Sequence, residues 1–169
     1  MIEKKALQDI YDEYKQHSDD YFNRHKYFRQ IPDKEQLYKE DVLELLGEAI
    51  NNKDVTLLQF CIGAAFTDGI DAYYTLPFKT IIMERWHEEH EDVVQIVQFH
   101  LNNDVFTDAL LEIALHPEVY RKFDDENEST LRKCVHALVA INSPKAKRAI
   151  ERLIELNNPN VMFALENYG

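Results

Sequence analysis

Glycine is scarce in this chain, and the motifs by which many enzymes hold phosphate or present a nucleophile are missing. The 169 residues include four glycines and five prolines. So few turn-forming residues leave little room for an all-β meander. No Gly-rich phosphate loop and no Gly-x-Ser-x-Gly element occurs. We therefore expect a protein that is not an enzyme.

Cysteine is also rare, and long hydrophobic runs are missing. Cys61 and Cys134 both fall on apolar helical stripes, which favours two buried thiols in a reducing compartment. The alternatives are a disulfide between them or a reactive thiol. No apolar run approaches the roughly 20 residues of a membrane span, and the first residues show no secretory signal. We expect a cytoplasmic protein.

Positive charge is in deficit, because 19 basic and 31 acidic residues give a formal net charge of −12. The imbalance is local: residues 84–128 hold thirteen acidic side chains against only Arg85, Arg121 and Lys122. Nucleic-acid binding requires the opposite sign, since it depends on neutralising phosphates. An anionic membrane surface is disfavoured for the same reason. The charge favours a basic protein partner.

Helical periodicity is abundant. Eight stretches place apolar residues at i, i+3, i+4, i+7 and i+8, and five of them fill every position. This spacing gives one buried stripe on an α-helix. The stripes recur every 13 to 25 residues, which predicts an all-α protein of antiparallel hairpins stacked in a short array. They start at Val42, Leu58, Phe78, Val93, Phe106, Leu131, Ala146 and Val161.

We expect a single domain over residues 1–169, with an N-terminal capping helix region at 1–31 and helical hairpins over 33–169. The N-terminal region is rich in aromatic residues, which favours a helix that covers the first hairpin. An exposed recognition patch is the alternative, because aromatic residues are enriched at interfaces. The apolar residues of this region are Leu7, Ile10, Tyr11, Tyr14, Tyr21, Phe22, Tyr27 and Phe28.

Short polar breaks predict where the helices begin. Side chains of Asp, Asn, Ser and Thr cap helix N-termini, and proline is favoured in the first turn. Trp86 is expected to close the Phe78 stripe as a core anchor. The expected caps are Asp33, Asp54, Thr75, Ser129 or Thr130, Ser143 and Asn158.

The segment His87-Glu88-Glu89-His90 suggests a metal site, but its histidines are three residues apart rather than the four of His-Glu-x-x-His. Metal ligation with Glu91 or His100 is one reading. The segment falls at a predicted helix turn, where His and Glu serve as caps and solvated residues. We expect the structural role and no metal or other cofactor.

The acidic stretch 124–128 superficially resembles a calcium loop. It lacks the glycine and the terminal glutamate at the required spacing. A solvated loop is one interpretation, and contact with a basic partner is the other, since long connections in helical arrays often carry binding surfaces. Residues 88–92 form a second acidic edge with the same two readings.

Residues 131–165 resemble a HEAT-like repeat. The first helix ends in Ala137-Leu138-x-x-Ile141, a Ser143-Pro144 turn follows, and the second helix carries Ala146, Ala149, Ile150 and Leu153. The resemblance implies paired helices whose small alanines allow close stacking. Upstream of residue 131, only the helical pattern matches.

A weaker resemblance covers residues 68–142. Asp68-Gly69-Ile70, the segment 86–92, Phe123-Asp124-Asp125 and the segment 133–138 look like small all-helical proteins of bacterial toxin–immunity loci. The resemblance implies a binder that neutralises a basic toxin domain through acidic residues. An adaptor with no toxin partner is the alternative, and a HEAT-like accessory enzyme is a third. The expected partner-binding residues are Asp68, Asp71, Glu88, Glu89, Glu91, Asp92, Asp124, Asp125 and Glu126.

Overall fold

The computed structural model of the protein describes residues 4–20 and 23–168. These residues form helices and no strand, which confirms the predicted all-α class. No helix within those two ranges is long and apolar enough to cross a membrane. The chain divides into two compact units, Met1–Pro77 and Phe78–Gly169. The α-helices are α1 (Leu7–Gln16), α2 (Lys39–Asn52), α3 (Val55–Asp68), α4 (Thr75–Ile81), α5 (His90–Phe99), α6 (Thr107–Leu115), α7 (Pro117–Tyr120), α8 (Ser129–Ile141), α9 (Pro144–Ile154) and α10 (Pro159–Leu165).

The N-terminal aromatic residues build a core against α3. α1 buries Leu7, Ile10, Tyr11 and Tyr14 as predicted, and a 3₁₀ helix at Arg24–Gln30 follows it. The Tyr14 ring lies 5.3 Å from Phe60 and 5.7 Å from Phe28, centroid to centroid. These contacts favour the covering role over an exposed patch. Tyr21 and Phe22 lie outside the described residues.

Two helical glycines in this unit predict opposite effects of the same substitution. Alanine is favoured over glycine inside a helix by about 0.5–1 kcal/mol, and a Cβ on Gly47 would meet no atom within 4 Å. A Cβ on Gly63 would overlap the Phe28 ring, at 2.6 Å from Cε2. That ring is held between Tyr14 and Phe60.

We therefore expect Gly47→Ala to stabilise the protein by about 0.5–1 kcal/mol and Gly63→Ala to destabilise it by about 1–3 kcal/mol. Urea unfolding of both variants measures the difference. A stabilised Gly63→Ala would show that the Phe28 ring moves aside easily.

The cap predictions had mixed outcomes in the first unit. Asp54 caps α3 by accepting a hydrogen bond from the Leu57 N–H at 3.0 Å, as predicted. Asp33 does not cap α2, which begins six residues later at Lys39 after a Tyr38 N-cap with no side-chain bond. Lys34 and Gln36 take positive φ values of 58° and 54° in between, so the chain makes turns where a helix start was expected.

Two further boundaries differ from the predictions. Thr75 is itself the first residue of α4, because a 3₁₀ helix at Ala72–Tyr74 runs directly into it. α4 ends at Ile81, so Trp86 lies beyond the helix and is only partly buried. The Phe78 stripe is therefore shorter than expected.

The second unit is organised around α8. This helix contacts α5, α6, α9 and α10, and α6 also contacts α9. Ser143 and Asn158 cap α9 and α10, each with a proline in the first turn, as predicted. Neither Ser129 nor Thr130 caps α8; Asp124 accepts from the Thr130 N–H instead.

The two cysteines are buried free thiols, as predicted, and each lies on the core face of its helix. Burial raises the pKa of Cys134 to about 12, and burial also raises the pKa of Cys61. Both thiols therefore stay protonated at neutral pH and are poor nucleophiles.

Candidate functional site

Within the described part of the first unit, three glutamates on α2 form a stripe of unpaired negative charge. Glu40, Glu44 and Glu48 are exposed, while Val42, Leu45, Leu46 and Ala49 face the core. We call these three glutamates the α2 stripe. Their spacing of four residues places them on one face of the helix, where like charges destabilise a helix by about 0.2–0.5 kcal/mol per pair.

The described residues supply no ion pair to any member of the α2 stripe, whereas Asp41 beside it is 3.5 Å from Lys4 Nζ. Repulsion between these glutamates lowers the stability of the helix, and their charge leaves a negative electrostatic potential outside its exposed face. The stripe is hard to recognise in the sequence, because acidic residues are common throughout this chain. The i, i+4, i+8 spacing was the available signal.

An exposed groove lined by polar, charged and apolar side chains borders the α2 stripe. It has a volume of about 470 Å³, and its lining includes Leu37, Lys39, Glu40 and Tyr73. Leu37 is 49% exposed and Tyr73 is 72% exposed. Lys39 Nζ lies 3.9 Å from the centre of the Tyr73 ring, so a cation–π contact positions the aromatic residue at the groove.

Asp71 and Asp68 bond to residues at or next to this groove. Asp71 pairs with Lys39 at 2.5 Å; burial alone would raise its pKa, but the hydrogen bonds from Lys39 and the Tyr73 N–H lower it. Asp68 is fully buried and accepts from the Tyr38 N–H at 2.9 Å. Burial raises the pKa of Asp68. Its buried carboxyl cannot contact a partner, so the predicted role of Asp68 in partner binding is wrong.

In the folded protein, the acidic stretch 84–128 has less unpaired negative charge than its sequence suggests. Lys133 of α8 lies 2.8 Å from Glu91, and Lys145 of α9 lies 2.7 Å from Asp108. Both cations come from outside the stretch. The field expected from thirteen acids is therefore partly cancelled.

The remaining predicted acids divide into buried, paired and exposed groups. Asp124 is buried against Arg121 with an N–O distance of 3.1 Å, so neither a solvated role nor a partner contact fits this residue. Glu88 is exposed and lies 3.7 Å from Lys122 Nζ. Glu89 and Asp92 are partly exposed, and each has an interaction within the chain. Asp125 and Glu126 are exposed.

His87 and His90 are buried rather than solvated, which corrects the expectation from sequence. Their rings stack with centroids 4.5 Å apart. His87 Nε2 lies 2.8 Å from the Ile81 carbonyl and its Nδ1 accepts from the Glu89 N–H, so this ring is neutral and both nitrogens are used. His90 Nε2 lies 2.8 Å from the Glu84 carbonyl.

Burial lowers the pKa of both histidines, and lowers that of His90 to about 4. Both rings are therefore neutral at physiological pH. Since His87 has no free nitrogen, the pair cannot chelate a metal in this arrangement. Among the residues that the structure describes, no group of three or more His, Cys, Asp or Glu side chains is placed to hold a metal ion.

The fold and these sites define an all-α protein of packed helices with an uncompensated acidic stripe and a buried histidine pair. No protein-family model, curated protein or solved structure matches the chain.

Proposed function

We propose that the chain is a non-catalytic protein-binding module, an immunity-type inhibitor that covers the basic surface of a cognate toxin. The observation that carries this proposal is the α2 stripe, whose three glutamates are exposed and have no ion pair within the described residues. A basic partner would remove the repulsion within the stripe and supply the missing cations.

The groove beside the α2 stripe supports the same proposal. Protein interfaces combine an apolar or aromatic centre with a polar rim. Tyr73 and Leu37 are exposed in that groove, and Glu40 and Asp41 line it as well. Tyr73 would be the central anchor and the α2 stripe would provide the charged rim.

The helix contacts of the second unit support a HEAT-like arrangement. α8 contacts α5 and α10 as well as α6 and α9, as expected if successive hairpins stack side by side. Such a stack presents side chains on a rigid surface, which lowers the entropy cost of binding. We place the protein in the cytoplasm, where Cys61 and Cys134 would remain reduced.

The decisive experiment uses a basic toxin domain, chosen by testing the products of the genes that neighbour the one for this chain. Co-expression should rescue growth, and association should slow markedly as salt rises from about 50 to about 500 mM. We expect the triple variant Glu40→Gln, Glu44→Gln, Glu48→Gln to associate at least about tenfold more slowly at low salt, because long-range attraction sets the rate of encounter.

The matched control is the triple variant Asp19→Asn, Glu151→Gln, Glu166→Gln, which changes net charge equally at exposed positions outside the α2 stripe. It should associate nearly as fast as the wild type. Equal slowing of both triple variants would contradict a localised site. Absence of rescue by a folded, expressed chain would contradict the immunity function.

An adaptor without a toxin partner is the second candidate. The observation that favours it is a further apolar surface in the second unit, where Met162 and Phe163 on α10 are 47% and 53% exposed. Two separate surfaces would allow two partners to bind one chain. Rescue of growth by the chain alone separates the inhibitor from the adaptor.

A further inference from the structure

A small cavity in the second unit lies beside the histidine pair. It has a volume of about 200 Å³ and is lined by residues from 85–90 and from 118–123. Drug-sized ligands and cofactors occupy pockets of about 300–1,000 Å³. This cavity therefore has room for a single ring or side chain.

His90 supplies a buried hydrogen-bond acceptor to the cavity. Its side chain lines the cavity, and the residue is only 4% exposed. Since Nε2 donates to the Glu84 carbonyl, Nδ1 of the neutral ring carries a lone pair. Nδ1 has no hydrogen-bond partner among the described residues. It is not fully buried either, because it is absent from the fully buried side-chain atoms that have no hydrogen-bond partner. Because His90 lines the cavity, this accessible nitrogen is available to accept a hydrogen bond from a ligand there.

Two aromatic side chains, Tyr120 and Phe123, form part of the cavity wall beside His90. The Tyr120 ring meets His90 edge-on with centroids 5.2 Å apart. Phe123 also lines the cavity and is 77% exposed. An exposed phenylalanine gains from being covered, and aromatic rings pair favourably with one another at such distances. This part of the wall therefore suits a flat aromatic ring.

The charges at the cavity do not select an ion. Arg85 and Lys122 are opposed by Glu88 and Glu118, and Lys122 is already 3.7 Å from Glu88. An anion would also face the lone pair of His90, and a metal would find both nitrogens of His87 in use. A neutral ligand fits this balance best.

We propose that this cavity binds an aromatic ring that carries an N–H or O–H donor, such as an indole or a phenol, with the donor on His90 Nδ1. The ring comes either from a free small molecule or from a tryptophan or tyrosine of a partner protein. Only the second source rests on the proposed function. Binding to the isolated chain is independent of the α2 stripe, so the two proposals can fail separately.

The test titrates the full chain with indole and with 1-methylindole, which has the same ring system without the donor. The readouts are the ¹⁵N shift of His90 Nδ1 and the Tyr120 amide signal. We expect saturable binding of indole and about tenfold weaker binding of 1-methylindole, because an unmet buried acceptor is costly.

N-acetyltryptophanamide tests the side-chain source: binding equal to that of indole supports a partner's tryptophan, and much weaker binding supports a small molecule.

Variants locate the site. His90→Phe keeps an aromatic ring without Nδ1 and should abolish the preference for indole over 1-methylindole. Because Phe123 is exposed, Phe123→Ala should fold normally and weaken indole binding roughly three- to tenfold. Phe99→Ala is the matched control, since Phe99 is 63% exposed and does not line the cavity. No indole binding, equal binding of the methylated ring, or an equal effect of Phe99→Ala would overturn the proposal.

Discussion

Replacing Asp124 with alanine is expected to lower the free energy of unfolding by about 3–5 kcal/mol, because it leaves the Arg121 charge buried and unpaired. Both side chains are only 5% exposed. Arg121 also donates to the Ile113 and Ala114 carbonyls near the end of α6. Asp124 accepts from the N–H and hydroxyl of Thr130 at the start of α8. One ion pair thus joins two helices of the second unit.

Urea unfolding at pH 7 measures this effect, and Asp125→Ala is its control. Asp125 is exposed, and removal of an exposed side chain changes stability by only about 0.5 kcal/mol. Combining Asp124→Ala with Arg121→Met should destabilise less than the sum of the two single variants, since no charge is then left unpaired. A loss below about 1 kcal/mol in Asp124→Ala would contradict the role of this pair.

The pKa of Asp124 determines how its contribution to the free energy of unfolding changes as the pH falls. Burial alone would raise this pKa, but hydrogen bonds from Thr130, Arg121 and the Leu131 N–H lower it overall. A carboxylate with a lowered pKa stabilises the fold fully above its unfolded pKa of about 3.9 and loses that contribution as the pH falls below it. The Asp124 contribution is therefore constant between pH 5 and pH 7.

Acidification from about pH 6.5 to about pH 4 is expected to destabilise the protein by about 3 kcal/mol through His90 alone. Burial lowers the pKa of His90 from 6.5 to about 4. Between these values the unfolded chain binds a proton that the folded chain does not, so stability decreases as the pH falls. Above pH 6.5 the contribution is fully present.

His87 adds to the same acid sensitivity. Burial lowers its pKa as well, and protonation of Nδ1 would remove the acceptor of the Glu89 N–H. Charging both stacked rings would also place like charges 4.5 Å apart. We therefore expect the segment before α5 to open first in acid.

Urea unfolding of the wild type and of His90→Phe at about pH 7 and about pH 4.5 tests this prediction. The variant keeps an aromatic ring but has no titrating group, so it should lose about 2–3 kcal/mol less on acidification. Carboxylates with lowered pKa values, such as Asp124 and Glu91, are present in both proteins, so their contributions cancel in this comparison. The same acid loss in both proteins would show that His90 is not the group responsible.

The predicted acidic surface illustrates how sequence and structure differ for this chain. The excess of acids in residues 84–128 was counted correctly, but Lys133 and Lys145 approach that stretch from α8 and α9. The α2 stripe has fewer acids and keeps its charge, because the described residues bring it no cation. Local counts of charge therefore gave the sign of the surface but could not show which acids are paired in the folded protein.

The sequence by itself determined the helices and the caps that act within a few residues. A stripe at i, i+3 and i+4 must face one side of a helix, and Asp54 and Ser143 bond N–H groups three residues ahead of them. Only the tertiary structure decided the burial of His87 and His90, the Arg121–Asp124 pair and the isolation of the α2 stripe. Those features depend on which helices lie side by side, and hydrophobic spacing along one helix carries no information about its neighbours.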